Sequence, residues 1–267
     1  MTPILAFDIE TVPDCAGIRR LYDLPGSLPD QEVAEVAFQK RRAASGSSPG
    51  SEFLQPHLQR VVAIACVMRD DDGIRVWSLG QPGDPEAALI QRFYDGIERY
   101  VPQLVSWNGG GFDLPVLNYR ALIHGVNAAQ FWESGDDNRD FRYNNYTSRY
   151  HTRHLDLMDV LAMYQPRNNS PLDDVAQIAG LPGKIGLHGS QVWDTFREGG
   201  IQRIRSYCEA DTANTYLLYL RYQHLRGAMS LEHFRRECGV LRSALEKLAE
   251  PHWQEFLARW QDPLLNE

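Results

Sequence analysis

The sequence predicts an α/β fold, a central mixed five-stranded sheet with helices on both faces, and three observations lead there. Short apolar runs with strand character recur at residues 2–11, 58–68, 74–79 and 104–106, with a further one near 153–157. Helical stripes lie between them, and the longest, over 201–220, meets neither Pro nor Gly. Asp70-Asp71-Asp72-Gly73, between the second and third runs, is a hairpin signal, so part of the sheet is antiparallel.

The first run gains two carboxylates, Asp8 and Glu10, near its end and stops before Pro13-Asp14. Strand side chains alternate, so Asp8 and Glu10 share one face while Phe7, Ile9 and Leu5 take the other. Asp and Glu are depleted in strands and adjacent carboxylates repel. A hard divalent ion with oxygen ligands is the simplest reason to keep them there, against the plainer reading of a solvated acidic edge. A helix follows over 29–44, then a Gly/Ser-rich stretch that reads as a mobile loop at about 45–56. Turn chemistry explains Asp70, Asp71 and Asp72 better than a metal does.

A helix over 85–100 leads into the run at 104–106, which ends in Trp107-Asn108-Gly109-Gly110-Gly111-Phe112-Asp113. Three glycines let the backbone approach something closely or take positive φ. Asp113, two residues before Pro115, fits the cap of the next helix. Capping leaves Trp107-Asn108 and the glycines unexplained, and strand-to-helix junctions are where ligands gather in α/β sheets. The stretch 139–153 is rich in Arg and carries Tyr143, Tyr146 and Tyr150, a pattern that suits stacked bases and phosphates as well as it suits a solvated loop. In His154-Leu155-Asp156-Leu157-Met158-Asp159, His154 and Asp156 are candidates for a place near the site, but Asp156 reads equally as a helix cap, and both stay outside the catalytic set. Gly183-Lys184 lacks the rest of a nucleotide P-loop, which leaves phosphate contact by Lys184 open. Trp193 and Tyr164 suit either base stacking or core packing.

Along the helix over 201–220, Tyr207 and Asp211 are four apart and share a face. Beyond Gly227, residues 231–238 and 240–260 read as helices, the second interrupted by Pro251. Together these segments divide the chain into a domain over 1–226 and a helical extension over 227–267. Four cysteines without metal-type spacing suit reduced thiols and a cytoplasmic location, and no apolar stretch is long enough for a bilayer. A net charge of −8 argues against tight duplex binding.

Three motifs in order, Phe7-Asp8-Ile9-Glu10-Thr11, Asn108-Gly109-Gly110-Gly111-Phe112-Asp113 and Tyr207-Cys208-Glu209-Ala210-Asp211, resemble the DEDD superfamily of 3′-5′ exonucleases. Tyrosine four residues before the last Asp marks the tyrosine subclass, and the likeness is to stand-alone bacterial proteins related to the proofreading domain of family-B DNA polymerases. The resemblance covers about 1–225 and implies a ribonuclease H-like fold. It further implies two divalent ions, Mg²⁺ or Mn²⁺, held by Asp8, Glu10, Asp113 and Asp211, with Tyr207 orienting the attacking water. Thr11, Asn108, Phe112 and Lys184 would contact the substrate, the 3′ end of single-stranded nucleic acid, releasing nucleoside 5′-monophosphates. DNA is weakly favoured over RNA. A non-catalytic nucleic-acid-binding module on the same fold is the rival, disfavoured because all four carboxylate positions are filled. The sequence leaves the oligomeric state open.

Overall fold

The computed structural model describes residues 2–45 and 53–265. Most of the loop expected at 45–56 therefore lies outside the described residues. The strands are β1 (Ile4–Pro13), β2 (Gln59–Asp70), β3 (Gly73–Ser78), β4 (Gln103–Ser106) and β5 (His154–Asp156). The helices are α1 (Cys15–Tyr22), α2 (Asp30–Ser45), α3 (Glu86–Tyr100), α4 (Asp113–His124), α5 (Ala129–Trp132), α6 (Leu157–Leu161), α7 (Leu172–Ile178), α8 (Val192–Arg197), α9 (Ile201–Leu225), α10 (Leu231–Leu245) and α11 (Pro251–Arg259).

The five strands form one mixed sheet in the order β3-β2-β1-β4-β5, with β1 in the centre. β2 runs antiparallel to both β1 and β3, while β4 and β5 run parallel to β1. This is the ribonuclease H-like arrangement. The hairpin between β2 and β3 is held as turn chemistry predicts, with Asp72 N donating to Asp70 Oδ1 at 3.0 Å and Gly73 at φ 133°.

Alternation along β1 sorts the core into two sides. Leu5, Phe7 and Ile9 pack with Phe93, Ile97, Leu114 and Leu117 of α3 and α4. Ala6 packs with Val67 and Val105 under Ala210, Ala213 and Tyr216 of α9. The strand runs on through Pro13 rather than stopping before it, and its register to β2 shifts between Glu10 and Thr11, where the pairing skips Val62. Irregularities of this kind re-aim side chains and collect beside functional sites.

α4 is fixed from behind by a buried charge cluster. Arg120 reaches Glu86 through Nε at 2.8 Å and Asp14 through Nη1 at 2.6 Å, while Glu86 also accepts from Val61 N at 2.7 Å. Arg120 and Glu86 are both buried, so each charge depends on its partner to offset desolvation.

At the C-terminal end α10 runs unbroken through Gly239 and Val240, where two helices are predicted with a boundary. The break falls at Pro251, which opens α11 at a position where its missing N–H costs nothing. Phe234, Leu241, Trp253, Phe256 and Trp260 share one core with Tyr216 and Leu220 of α9. His252 also meets Glu209 of α9 at 3.0 Å, and Glu209 accepts from Ser78 Oγ at 2.6 Å. Truncation after Arg226 would strip this cover from α9, so the shortened chain is expected to be recovered as aggregate, as size-exclusion chromatography would show. A soluble, cooperatively melting product of residues 1–226 would instead support an independent domain.

Candidate active site

Asp8 and Glu10 lie on the face of β1 that looks at α9, opposite Ala65 and Ala63 of β2. Both alanines are fully buried, and their small side chains leave room for the carboxylates beneath the helix. Asp113 arrives from the other side. β4 pairs with β1 only as far as Ala6, so the Ile9 N–H is left without a strand partner on that edge. Asp113 Oδ1 takes that hydrogen bond at 3.1 Å, which brings its carboxylate to the backbone between the two β1 residues. Asp113 is the first residue of α4, after Phe112 in the capping position, and no side chain caps the helix. The helix-cap reading of Asp113 gives way to this longer-range contact.

Asp211 and Tyr207 come from α9, both buried. The Tyr207 hydroxyl donates toward Asp211 one turn on, and Asp211 Oδ1 is buried with no hydrogen-bond partner. Cys208, between them in sequence, places Sγ 3.5 Å from Asp8 Oδ2 and 3.3 Å from Asp8 O. Asp8, Glu10 and Cys208 offer ligand atoms within 4.8 Å of one another.

The negative charge of this cluster is compensated only in part, by Lys184. Burial, and after it the charges of Asp113, Glu10 and Asp211, hold the Asp8 carboxyl well above the usual carboxylate range. Glu10 is raised by burial and then by Asp211 and Asp113, with Lys184 opposing. Burial pushes both Asp113 and Asp211 up to about 7. The Cys208 thiol is driven upward by burial and by Asp8 and Glu10, so it stays a neutral donor and not a thiolate ligand. Oxygen donors that are buried at Asp113 and Asp211 and half-buried at Asp8 and Glu10, with one orphaned buried oxygen on Asp211, fit a hard divalent cation.

The loop that carries Asp113 is built on Asp156. Its Oδ1 accepts from Asn108 N and its Oδ2 from Gly110 N, each at 2.9 Å, besides capping α6 through Asp159 N. The helix-cap reading of Asp156 holds, and the same carboxylate also anchors the loop. Asn108, and not a glycine, takes the left-handed conformation at φ 64°. The glycines serve close approach, since a Cβ on Gly109 would overlap Ser106 Oγ and one on Gly111 would overlap Asn108 Oδ1. His154, pushed down to about 4 by burial, shares a hydrogen bond of 2.8 Å with Ser106 and is neutral.

Other positions divide. The Lys184 ammonium lies 5.5 Å from the Tyr207 ring centroid, and its charge acts on Glu10 and Asp211. Its segment is pinned to α9 by Gly183 N to Asn214 Oδ1 at 3.2 Å and to α7 by Lys184 N to Asp173 Oδ1 at 2.7 Å. Phe112 is half-buried and meets the exposed Phe53 edge-on at 5.0 Å. Thr11 follows the register shift, and its hydroxyl donates to Gln59 at 2.9 Å instead of joining the carboxylates. Tyr146 is no stacking platform, because it is buried against Phe131 and donates to Pro102 O. Arg149 is paired with Asp159, and Arg153 lies over Phe141, whereas Tyr143 and Tyr150 are exposed. Trp193 stacks on Phe196, and Tyr164 meets Tyr150 edge-on. Cys208, Asp173 and the loop-holding role of Asp156 had no signal in the sequence, because each acts through a tertiary contact.

Residues 51–260 match a family model described as a predicted 3′-5′ exonuclease related to the exonuclease domain of PolB. Asp113, Tyr207 and Asp211 fall inside that span, and Asp8 and Glu10 precede it. The chain is 29% identical over 146 residues to the catalytic subunit of DNA polymerase epsilon from Kluyveromyces lactis, covering 52% of this chain and 6% of that protein. Against the Schizosaccharomyces pombe counterpart it is 25% identical over 235 residues, covering 83% of this chain and 9% of that one. The chain thus spans less than a tenth of these relatives. A solved family B DNA polymerase from Pyrobaculum calidifontis aligns at 19% identity and a TM-score of 0.46, over 80% of this chain and 24% of that chain.

Proposed function

The chain belongs to the family of predicted 3′-5′ exonucleases related to the exonuclease domain of PolB, and on that premise we propose that it hydrolyses phosphodiester bonds from the 3′ end of single-stranded nucleic acid, releasing nucleoside 5′-monophosphates. The observation that carries this reading is the convergence of Asp8, Glu10, Asp113 and Asp211 in one desolvated cluster, with Asp211 Oδ1 unpartnered. Asp8, Glu10, Asp113 and Asp211 would hold Mg²⁺ or Mn²⁺. When bound, such ions lower the pKa of the attacking water and stabilise charge on the attacking and leaving oxygens.

The chain's own residues supply the rest. Burial drives the Tyr207 phenol far above its ordinary range, and the Asp211, Glu10 and Asp8 carboxylates add to this. It therefore keeps its proton and acts by orienting the attacking water, not as a base. Lys184 places positive charge beside Tyr207, where the phosphate would lie. Asn108 and the Phe112 ring flank the terminal nucleotide. Thr11, tied to Gln59, contributes through the shape of the β1 edge. The relatives described above are DNA polymerases, which supports DNA over RNA. Four free buried cysteines support a reducing, cytoplasmic setting, and no helix among the described residues is long and apolar enough to cross a membrane.

The test is a 5′-labelled DNA oligomer and its RNA counterpart, each incubated with Mg²⁺ or Mn²⁺. A ladder shortening from the 3′ end, faster on DNA, is expected. Internal cuts, or products lacking the 5′-phosphate, would overturn the proposal.

A further inference from the structure

Against the 108–111 loop that leads into Asp113 lies a cavity of about 500 Å³, within the range of roughly 300–1,000 Å³ typical of small-ligand sites. Its lining includes Asn108, Gly110 and Gly111, the two glycines exposed and without side chains. Across from them stands Trp132, 56% exposed despite its size and packed edge-on against Phe131 at 5.4 Å. Asn118 lines the same wall. Its Oδ1 accepts from the Tyr94 hydroxyl at 2.8 Å, which fixes the carboxamide and leaves its NH₂ to the cavity.

The charge of this cavity is balanced, because Arg149 is held by both oxygens of Asp159 at 2.8 Å. A flat aromatic surface, a fixed amide donor and no surplus positive charge suit the recognition of a base more than of a phosphate. That agrees with a chain of net charge −8, which has little long-range attraction for a polyanion to draw on. We infer that this cavity is a nucleotide subsite that takes an unpaired base on the 5′ side of the scissile bond, stacked on the Trp132 indole. The inference rests on the exonuclease reading and adds to it a second holding point, which a paired base cannot enter.

The test compares wild type, Trp132→Ala, Trp132→Phe and Asn118→Ala on single-stranded oligothymidylate and on the p-nitrophenyl ester of thymidine 5′-monophosphate. The ester carries one nucleoside and ends where the next nucleotide would begin. Stacking of a base on an aromatic side chain contributes about 1–3 kcal/mol, so Trp132→Ala is expected to raise KM for the oligomer about 10-fold with kcat unchanged. Trp132→Phe should restore most of the loss, and all variants should process the ester like wild type and melt at nearly the wild-type temperature. If the variants keep the wild-type KM on the oligomer, or lose equally on oligomer and ester, the subsite is refuted while wild-type turnover preserves the exonuclease reading. If wild type shortens no oligomer from its 3′ end, that reading fails and the subsite falls with it.

Discussion

Asp8→Asn is expected to lose nuclease activity by about 10³-fold or more while folding normally, because charge stabilisation by bound cations is worth several kcal/mol and each 1.36 kcal/mol is a factor of ten in rate. Asp8 is the common neighbour of the cluster, as the charges of Asp113, Glu10 and Asp211 all act on it. Removing its charge leaves the other three carboxylates without the group that would share cations with each of them. Asparagine keeps the shape and can still meet the Cys208 thiol, so the loss would be one of charge and not of packing. The measurement is single-turnover cleavage of a 5′-labelled oligomer, with thermal melting of the same preparations as the fold control. An Asp8→Asn protein with wild-type rates would remove the carboxylate cluster from the mechanism.

The parts of this site that local rules govern were readable from the chain, and those that depend on chain crossings were not. Asp8 and Glu10 fall on one face because a strand has period two, and Tyr207 and Asp211 because a helix has period 3.6. The helical period also gave α9, and the turn signal of Asp70-Asp71-Asp72-Gly73 gave the β2–β3 hairpin. Asp113 is different. Its sequence fits a helix cap, and only the Ile9 N–H, left free where β4 ends, draws it into the cluster. Asn108 and the glycines behind it show the same limit, since composition announced a constrained loop but not that Asp156 grips it or that Ser106 forbids a Cβ at 109. Tyr146 misled because the irregular segment 139–153 has no period from which burial can be inferred, and its ring went into the α3 side of the core. The boundary drawn at 226 followed the end of the matched motifs, whereas the hydrophobic core continues through α10 and α11.

Without divalent ions, the protein is expected to melt at lower temperature as pH rises from about 6.5 to 8, by on the order of 10 °C, and added Mg²⁺ or Mn²⁺ should reverse the loss. The sign follows from the direction in which each carboxyl is displaced. Asp113 and Asp211 are pushed up to about 7, and Asp8 and Glu10 are raised well above their ordinary values, so the folded chain holds protons that the unfolded chain has released. Stability from such groups is complete below the unfolded carboxylate pKa of about 4 and is lost as pH climbs through the folded value. His154 works in the opposite direction, being held down at about 4, but its unfolded form is already half deprotonated at pH of about 6.5, so over this window it adds back less than about 0.5 kcal/mol. A tenfold difference in proton affinity between the folded and unfolded chain is worth about 1.4 kcal/mol, so the cluster costs several kcal/mol once ionised, and in a domain of this size 1 kcal/mol moves Tm by about 2–4 °C. Cations supply the missing opposite charge, and because they compete with the same protons their effect should grow with pH. Asp211→Asn replaces a destabilising buried charge with a neutral amide, so its metal-free Tm at pH 8 should exceed that of wild type while its response to metal shrinks. This readout needs no nucleic acid and is independent of turnover. A metal-free Tm that is flat over the window, with Asp211→Asn no more stable than wild type, would mean that the four carboxylates do not crowd one another in solution as they do in the fold described above.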